Sequence, residues 1–169
     1  VKKKGKISQL GEAFNKHNLP DAHVGIGHTR WATHGIPNDL NAHPHTDNSG
    51  IFSLVHNGIV ENYASLKKFL SSKGVQCETD TDTEVLVQLI GYLYKTENLT
   101  FEEAVRSALM EIVGTYGIAV LCSDDPQKKK PCISAAMIPE MENILYKQQR
   151  RSLKCGTSYI SNMRRWSPQ

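Results

Sequence analysis

Long apolar runs are missing from this 169-residue chain. No stretch reaches the roughly 18 consecutive hydrophobic residues that a membrane-spanning helix needs, so no such helix is expected. The basic opening, Val1 to Lys6, leads into no apolar segment, and no signal peptide is read there. Cysteine is scarce and scattered: Cys77, Cys122, Cys132 and Cys155 form no C-x-x-C pair. That argues against a zinc ribbon or a thioredoxin-like site. Four thiols so far apart also argue against a disulfide framework, and reduced thiols in a cytoplasmic protein are expected. Cys77 and Cys122 fall in segments that read as structured, where a thiol behaves as a small buried hydrophobe. No G-x-S-x-G is present, which removes the hydrolase nucleophile elbow. The chain starts at Val1 rather than at Met, which suggests a beginning further upstream.

The charge is small overall, +3, but unevenly spread. Residues 1–126 carry 11 Lys/Arg against 15 Asp/Glu, a net of −4, whereas residues 127–169 carry 9 against 2, a net of +7. The shift places a boundary near Gln127. A basic tail can touch nucleic acid or anionic lipid, but this charge is modest and a solvated tail is the expectation. No nucleic-acid or membrane partner is expected.

Before that boundary the pattern is regular. Ile7 to His17 is weakly helical, and Val24 to Thr29 reads as a strand of alternating β-branched residues and Gly. Residues 30–50 form a long loop rich in His, Pro, Asn, Asp and Gly, of the kind that tends to be functional or disordered. Ile51 to His56 reads as a buried strand ended by Asn57-Gly58. Asn62 to Lys73 is helical, with Leu66, Phe69 and Leu70 on one face and Gly74 as its stop. Thr81 to Thr96 is a second helix with Val85, Leu86, Leu89, Ile90 and Leu93 as its apolar stripe. Thr81-x-x-Glu84 has capping-box spacing, and Thr100-x-x-Glu103 repeats it ahead of a third helix that runs to Val113 and stops at Gly114. Tyr116 to Cys122 is a strongly apolar strand. Mixed elements in this order suggest a layered α+β or α/β domain. After Asp125-Pro126 no period of 2 or 3.6 survives, apart from a short helical stretch around Met141 to Gln149.

Four clusters carry possible chemistry. In GHTRWATHG, Gly27 to Gly35, the planar fork of Arg30 matches a carboxylate bidentately, Trp31 could lid a small ligand, and Thr33 and His34 add hydrogen-bonding groups. The competing reading pairs Arg30 with a structural carboxylate. In NAHPH, His43 and His45 invite a metal reading, with His23, His28 and His34 nearby in sequence. No thiolate or carboxylate stands at zinc spacing, so hydrogen-bonding or substrate-loop roles are preferred. In His56-Asn57-Gly58, the Asn amide and the next backbone N–H would converge on one spot if the chain turned there, as in an oxyanion hole. Asn-Gly is also a common hairpin turn, but a helix follows rather than a second strand. In Thr81-Asp82-Thr83-Glu84, Asp82 could accept from an ammonium group or cap the helix, and a helix start suits a carboxylate either way. Together these groups suit an α-amino acid, with Arg30 on its carboxylate and Asp82 on its ammonium. Asn57 and Gly58 would take a side-chain carbonyl oxygen. No nucleophile is assigned.

GHTRWATHG, NAHPH, VHNGIVENY and TDTEV, in this order and spacing, closely resemble the class II glutamine amidotransferase domain of the glutamine–fructose-6-phosphate aminotransferase (isomerising) family, over about residues 1–126. The resemblance implies an α+β fold, the four-layer αββα sandwich of N-terminal-nucleophile hydrolases, here without its first strands. It implies hydrolysis of glutamine by an N-terminal cysteine, with the ammonia passed to fructose 6-phosphate by an isomerase half to give glucosamine 6-phosphate. By the same resemblance, Asn57 and Gly58 match the oxyanion hole, and Arg30 and Asp82 the glutamine α-group binders. Trp31, Thr33 and His34 match a loop that closes over substrate, and His43 a position near it. No cofactor or metal is implied, and the whole enzyme would be a cytoplasmic homo-oligomer.

The chain departs from that family in lacking the Cys-Gly-Ile opening, the isomerase half, and the strands expected beyond Pro126. The basic segment 127–169 suggests a shifted reading frame or a mispredicted exon. This chain is therefore expected to be inactive alone. A non-catalytic glutamine-binding module, or an amidotransferase for another acceptor, are the alternative readings.

Overall fold

The computed structural model describes residues 1–16, 25–30 and 35–123, together with the backbone of 136–138. Four antiparallel strands form one sheet in the order β1 (His45–Thr46), β2 (Phe52–Val60), β3 (Gly114–Cys122) and β4 (Ala136–Ile138). The long central pair is in continuous register from Phe52 opposite Cys122 to Val60 opposite Gly114. Strand side chains alternate faces. One face therefore gathers Phe52, Leu54, His56 and Val60 with Tyr116, Ile118, Val120 and Cys122, and all of these are buried.

Against that face packs α3 (Asp82–Glu97), flanked by α2 (Tyr63–Ser72) and α4 (Phe101–Glu111). The first nine residues of α3, Asp82 to Ile90, are all buried. The helix is thus covered on every side of its first two turns, well beyond the single apolar stripe read from the sequence. Phe52 anchors the far end of this layer. It meets Tyr94 edge-on at 5.1 Å and stacks on Phe101 at 6.1 Å between ring centroids. Cys122 is buried as expected, but Cys77 is only half-buried, and burial pushes its thiol up to about 11. Helix α1 (Ile7–Asn15) buries no residue. The irregular segment before it is tied down instead at Asp39 and Leu40, by the Lys3–Asp39 ion pair at 2.9 Å and a Lys2 Nζ bond to the Leu40 carbonyl at 2.7 Å.

The helix starts separate into two kinds. At α4 the capping box is reciprocal: the Thr100 hydroxyl accepts from Glu103 N, and the Glu103 carboxylate accepts from Thr100 N at 2.9 Å. At α3 only half of it forms. Thr81 accepts from Glu84 N, but Glu84 turns its carboxylate onto the backbone N–H groups of Glu78 at 2.9 Å and Thr79 at 2.6 Å. The same T-x-x-E spacing thus caps one helix and clamps the loop before the other.

Several sequence expectations change. The strand expected over Val24 to Thr29 is not a strand in the described part: residues 25–30 are irregular and join no ladder. The loop 30–50 contains β1, which pairs His45 with Leu54 and Thr46 with Ser53. Asn57-Gly58 does not end the second strand. It lies inside β2, and Val60 is the last residue. Its turn-like composition is overridden because β3 supplies a ladder partner throughout. Helix α4 stops at Glu111, and Gly114 opens β3 rather than closing the helix. Strand β4 falls in the segment read as patternless: three residues are enough because β3 provides the template through Ile118, Ala119 and Val120. The helix read around Met141 to Gln149 lies outside the described residues. No described helix is long and apolar enough to cross a membrane.

Candidate functional site

Two concavities compete on size alone. An open groove of about 740 Å³ runs along α2 between Tyr63, Lys67, Ser71 and Cys77. A smaller, more enclosed cavity of about 180 Å³ is lined by His28, Thr29, Arg30, His43, His56, Asn57, Gly58, Asp82 and Thr83. Only the second brings together groups from four separate segments, so it is the candidate site.

Strand parity builds its floor. In an antiparallel ladder, alternate residues direct their backbone groups to opposite neighbours. The even residues of β2 face away from β3. Phe52 exchanges bonds with Asp47, and Leu54 stands opposite His45 of β1. Strand β1 pairs with Leu54 and Ser53, and beyond them no strand among the described residues lies beside this edge of β2. There the Val60 amide donates to the Asp82 carboxylate at 2.9 Å. The Gly58 amide shares that parity and faces the same open edge. Gly58 has φ +123°, and a β-carbon there would stand 2.2 Å from the Thr115 carbonyl oxygen. Only glycine fits that close approach to β3.

The wall comes from the start of α3 and from a group of histidines. Asp82 is the first residue of the helix and 4% exposed. One of its oxygens takes the Val60 N–H, and the His56 Nδ1 stands 3.9 Å from that same oxygen. The Thr83 hydroxyl sits 3.2 Å from His56 Nδ1 and 3.2 Å from His43 Nε2. A hydroxyl has one proton to give. With two lone pairs besides, it can accept from both rings or donate to one and accept from the other. Thr81, besides capping α3, lies 3.1 Å from His45 Nε2. The His43 ring lies 4.4 Å from that of His28 and 5.1 Å from that of His45. Burial first, then the neighbouring His28 and His45, hold the His43 imidazole down to about 2. Burial first, then Lys2, hold His45 down to about 4. These rings are neutral hydrogen-bonding groups near neutral pH. Among the described residues no group of three or more His, Cys, Asp or Glu could hold a metal ion.

The rim is set by two clamps. Arg30 reaches back to the Gly35 carbonyl at 3.3 Å. Asn41 is almost wholly buried, and it binds the Ile36 carbonyl at 3.0 Å and the Asp80 N–H at 3.3 Å. It fastens the 35–41 turn to the loop ahead of α3. Burial would raise the Glu84 carboxyl, but bonds from Thr79 and Glu78 in that loop hold it below its usual range.

The family model described as a glutamine amidotransferase domain matches residues 6–120 of this chain. The chain belongs to the glutamine amidotransferase domain family. Two aminotransferases show how close this family member stands to its relatives. Glutamine–fructose-6-phosphate aminotransferase (isomerizing) of Chlorobaculum tepidum is 51% identical over 131 residues, covering 76% of this chain and 21% of that protein. Its counterpart in Pyrococcus horikoshii is 50% identical over 128 residues, covering 73% and 20%. Among solved structures, glutamine phosphoribosylpyrophosphate amidotransferase from B. subtilis, complexed with ADP and GMP, aligns with a TM-score of 0.46 at 30% identity, over 56% of this chain and 20% of that one. The chain spans about a fifth of the length of the curated relatives it matches.

In this amidotransferase domain, five sequence-predicted site residues meet on one cavity: Arg30, His43, Asn57, Gly58 and Asp82. The other three, Trp31, Thr33 and His34, lie outside the described residues. The convergence does not arise from a turn at Asn57-Gly58. It arises from strand parity and an edge that no described strand covers. Sequence reading did not select four lining residues: His28, Thr29, His56 and Thr83. His56 had a signal, since its even position in the strand puts it on the helix-facing side. Thr83 had none beyond its neighbours. Neither described cysteine lines the cavity: Cys122 is in the core and Cys77 on the α2 groove.

Proposed function

We propose that this cavity binds the amino-acid end and amide of glutamine in a glutamine-hydrolysing site, and that the whole protein passes the ammonia to fructose 6-phosphate to form glucosamine 6-phosphate and glutamate. In this reading Arg30 takes the α-carboxylate and Asp82 the α-ammonium. The Asn57 side-chain amide and the Gly58 N–H take the oxyanion. His43 stands behind them, and Trp31, Thr33 and His34 close over the substrate. A cysteine thiolate supplied by the whole protein adds to the amide carbon. The C–N bond breaks, ammonia leaves with a proton from the cysteine's α-amino group, and water hydrolyses the thioester to glutamate.

The observation that carries the reading is the arrival of a guanidinium, a carboxylate and an edge amide of matching polarity at one enclosed cavity from three separate segments. Aminotransferase relatives at about half identity over three quarters of the chain support the acceptor. The same reading makes the described sheet and its helical layer one half of a four-layer αββα sandwich. It treats residues 1–126 as the amidotransferase portion and 127–169 as a separate divergent segment, in a cytoplasmic homo-oligomeric enzyme.

The test is glutamine-dependent glutamate and glucosamine 6-phosphate formation by the whole protein and by its Arg30→Ala and Asp82→Asn variants. Each lost charge-assisted bond should raise KM for glutamine roughly 10- to 100-fold. Unchanged KM in both variants would remove the assignment. Glutamine binding without hydrolysis by the whole protein would replace the enzyme with a binding module.

A further inference from the structure

Asn57 projects from β2 with its amide oxygen 2.7 Å from His28 Nε2. An Asn amide has two faces of opposite polarity: an acceptor oxygen and a donor nitrogen. Whichever face meets His28, the other is left for the cavity. The orientation of Asn57 is therefore a consequence of the state of His28.

His28 is constrained in turn. Its Nδ1 is buried and has no hydrogen-bond partner among the described residues. A proton on that nitrogen would be a buried, unsatisfied donor, which native structures rarely tolerate. The proton belongs on Nε2, where it meets Asn57. Two donors at 2.7 Å would repel, so the amide must present its oxygen to His28 and its NH2 to the other side. The ring itself is held by a relay. It lies 4.4 Å from His43, whose Nε2 is bonded at 3.2 Å to Thr83, fixed in the first turn of α3.

We propose that His28 is a positioning residue that locks the Asn57 side chain with its amide nitrogen toward the cavity, so that Asn57 can donate to an oxyanion. This rests on the glutamine-hydrolysis reading for its consequence in rate, but not for its geometry. Freed of His28, Asn57 can rotate or flip, and the site keeps the Gly58 N–H while losing a preorganised second donor. Substrate affinity depends on Arg30 and Asp82 and is left largely intact.

The experiment compares the whole protein with His28→Ala, His28→Gln, Asn57→Ala and the double variant His28→Ala/Asn57→Ala. His28→Ala should lower kcat for glutamine hydrolysis about 10- to 100-fold with KM within about threefold, somewhat less than removal of the donor itself. His28→Gln keeps an N–H donor and should recover most of the loss. The double variant should be no slower than Asn57→Ala alone, because His28 acts through Asn57. Losses that multiply, or an effect of His28→Ala confined to KM, would overturn the proposal. A second readout does not depend on activity: ¹⁵N NMR of the His28 ring should show a protonated Nε2 and a bare Nδ1. A proton on Nδ1 would overturn the orientation whatever the kinetics. A wild-type protein that hydrolyses no glutamine would remove the functional reading, and the ring tautomer would then decide the geometry by itself.

Discussion

The two ends of β2 solve one problem in two ways. At each end an edge amide of the strand donates to a buried aspartate: Phe52 N to Asp47 at 2.7 Å, and Val60 N to Asp82 at 2.9 Å. At the Phe52 end the carboxylate is saturated. Asp47 also accepts from Ser49 N at 3.0 Å and from the Ser49 hydroxyl, strand β1 closes the edge, and Phe52 fills the core with Tyr94 and Phe101. At the Val60 end β1 is gone, and histidines and Thr83 replace the aromatic rings. Asp82 stands on a cavity wall. The strand pattern is continuous across both ends. What differs is whether the edge is covered. The first carboxylate is scaffold, whereas the second, at an edge that no described strand covers, is the one the proposed function gives to a ligand.

The largest effect that sharpens this contrast is at the scaffold end. Phe52→Ala removes a fully buried ring and should cost about 3–5 kcal/mol of unfolding free energy, read by urea denaturation of the whole protein. A loss under about 1 kcal/mol would show that this end is not the anchor. Next come the two aspartates. Asp47→Ala strands several donors and should cost about 2–3 kcal/mol with no change in glutamine KM. Asp82→Asn should give the reverse, a smaller stability loss with the KM increase described above. If both variants moved the same quantity, the distinction between the ends would collapse.

A third test uses pH. Burial holds the folded His43 and His45 below the ordinary 6.5, to about 2 and about 4. The unfolded chain therefore binds protons that the folded one refuses. Stability should be full above pH 6.5 and should decline as pH falls toward 4, with His45→Gln flattening part of the slope. Urea midpoints measured at pH 7.5, 6 and 5 check this, and a flat profile would contradict the buried neutral cluster. The smallest effect is at the α4 cap, far from the cavity. Thr100→Ala should cost about 1 kcal/mol and leave hydrolysis untouched.

Much of this was legible from residues alone. The apolar stripe Val85, Leu86, Leu89, Ile90 and Leu93 marked α3, and the alternation of Tyr116, Ile118, Val120 and Cys122 marked β3. The side-chain chemistry of Arg30 and Asp82 and the donors of Asn57-Gly58 selected four of the cavity's lining residues. Asn57-Gly58 misled as a strand end because its local turn preference is weaker than nine continuous ladder pairs with β3. Glu84 misled as a capping-box partner because the 78–79 amides compete for its carboxylate.

By itself, then, the sequence determined the helices, the central strands and the chemical types that gather around an α-amino acid, since period and side-chain chemistry are local properties. Only the tertiary structure decided which backbone amide faces the cavity, which threonine bridges which histidines, and which way the Asn57 amide points. Those depend on where β1 stops along β2 and on how closely α3 approaches the sheet, and both are set by contacts between residues far apart in the chain.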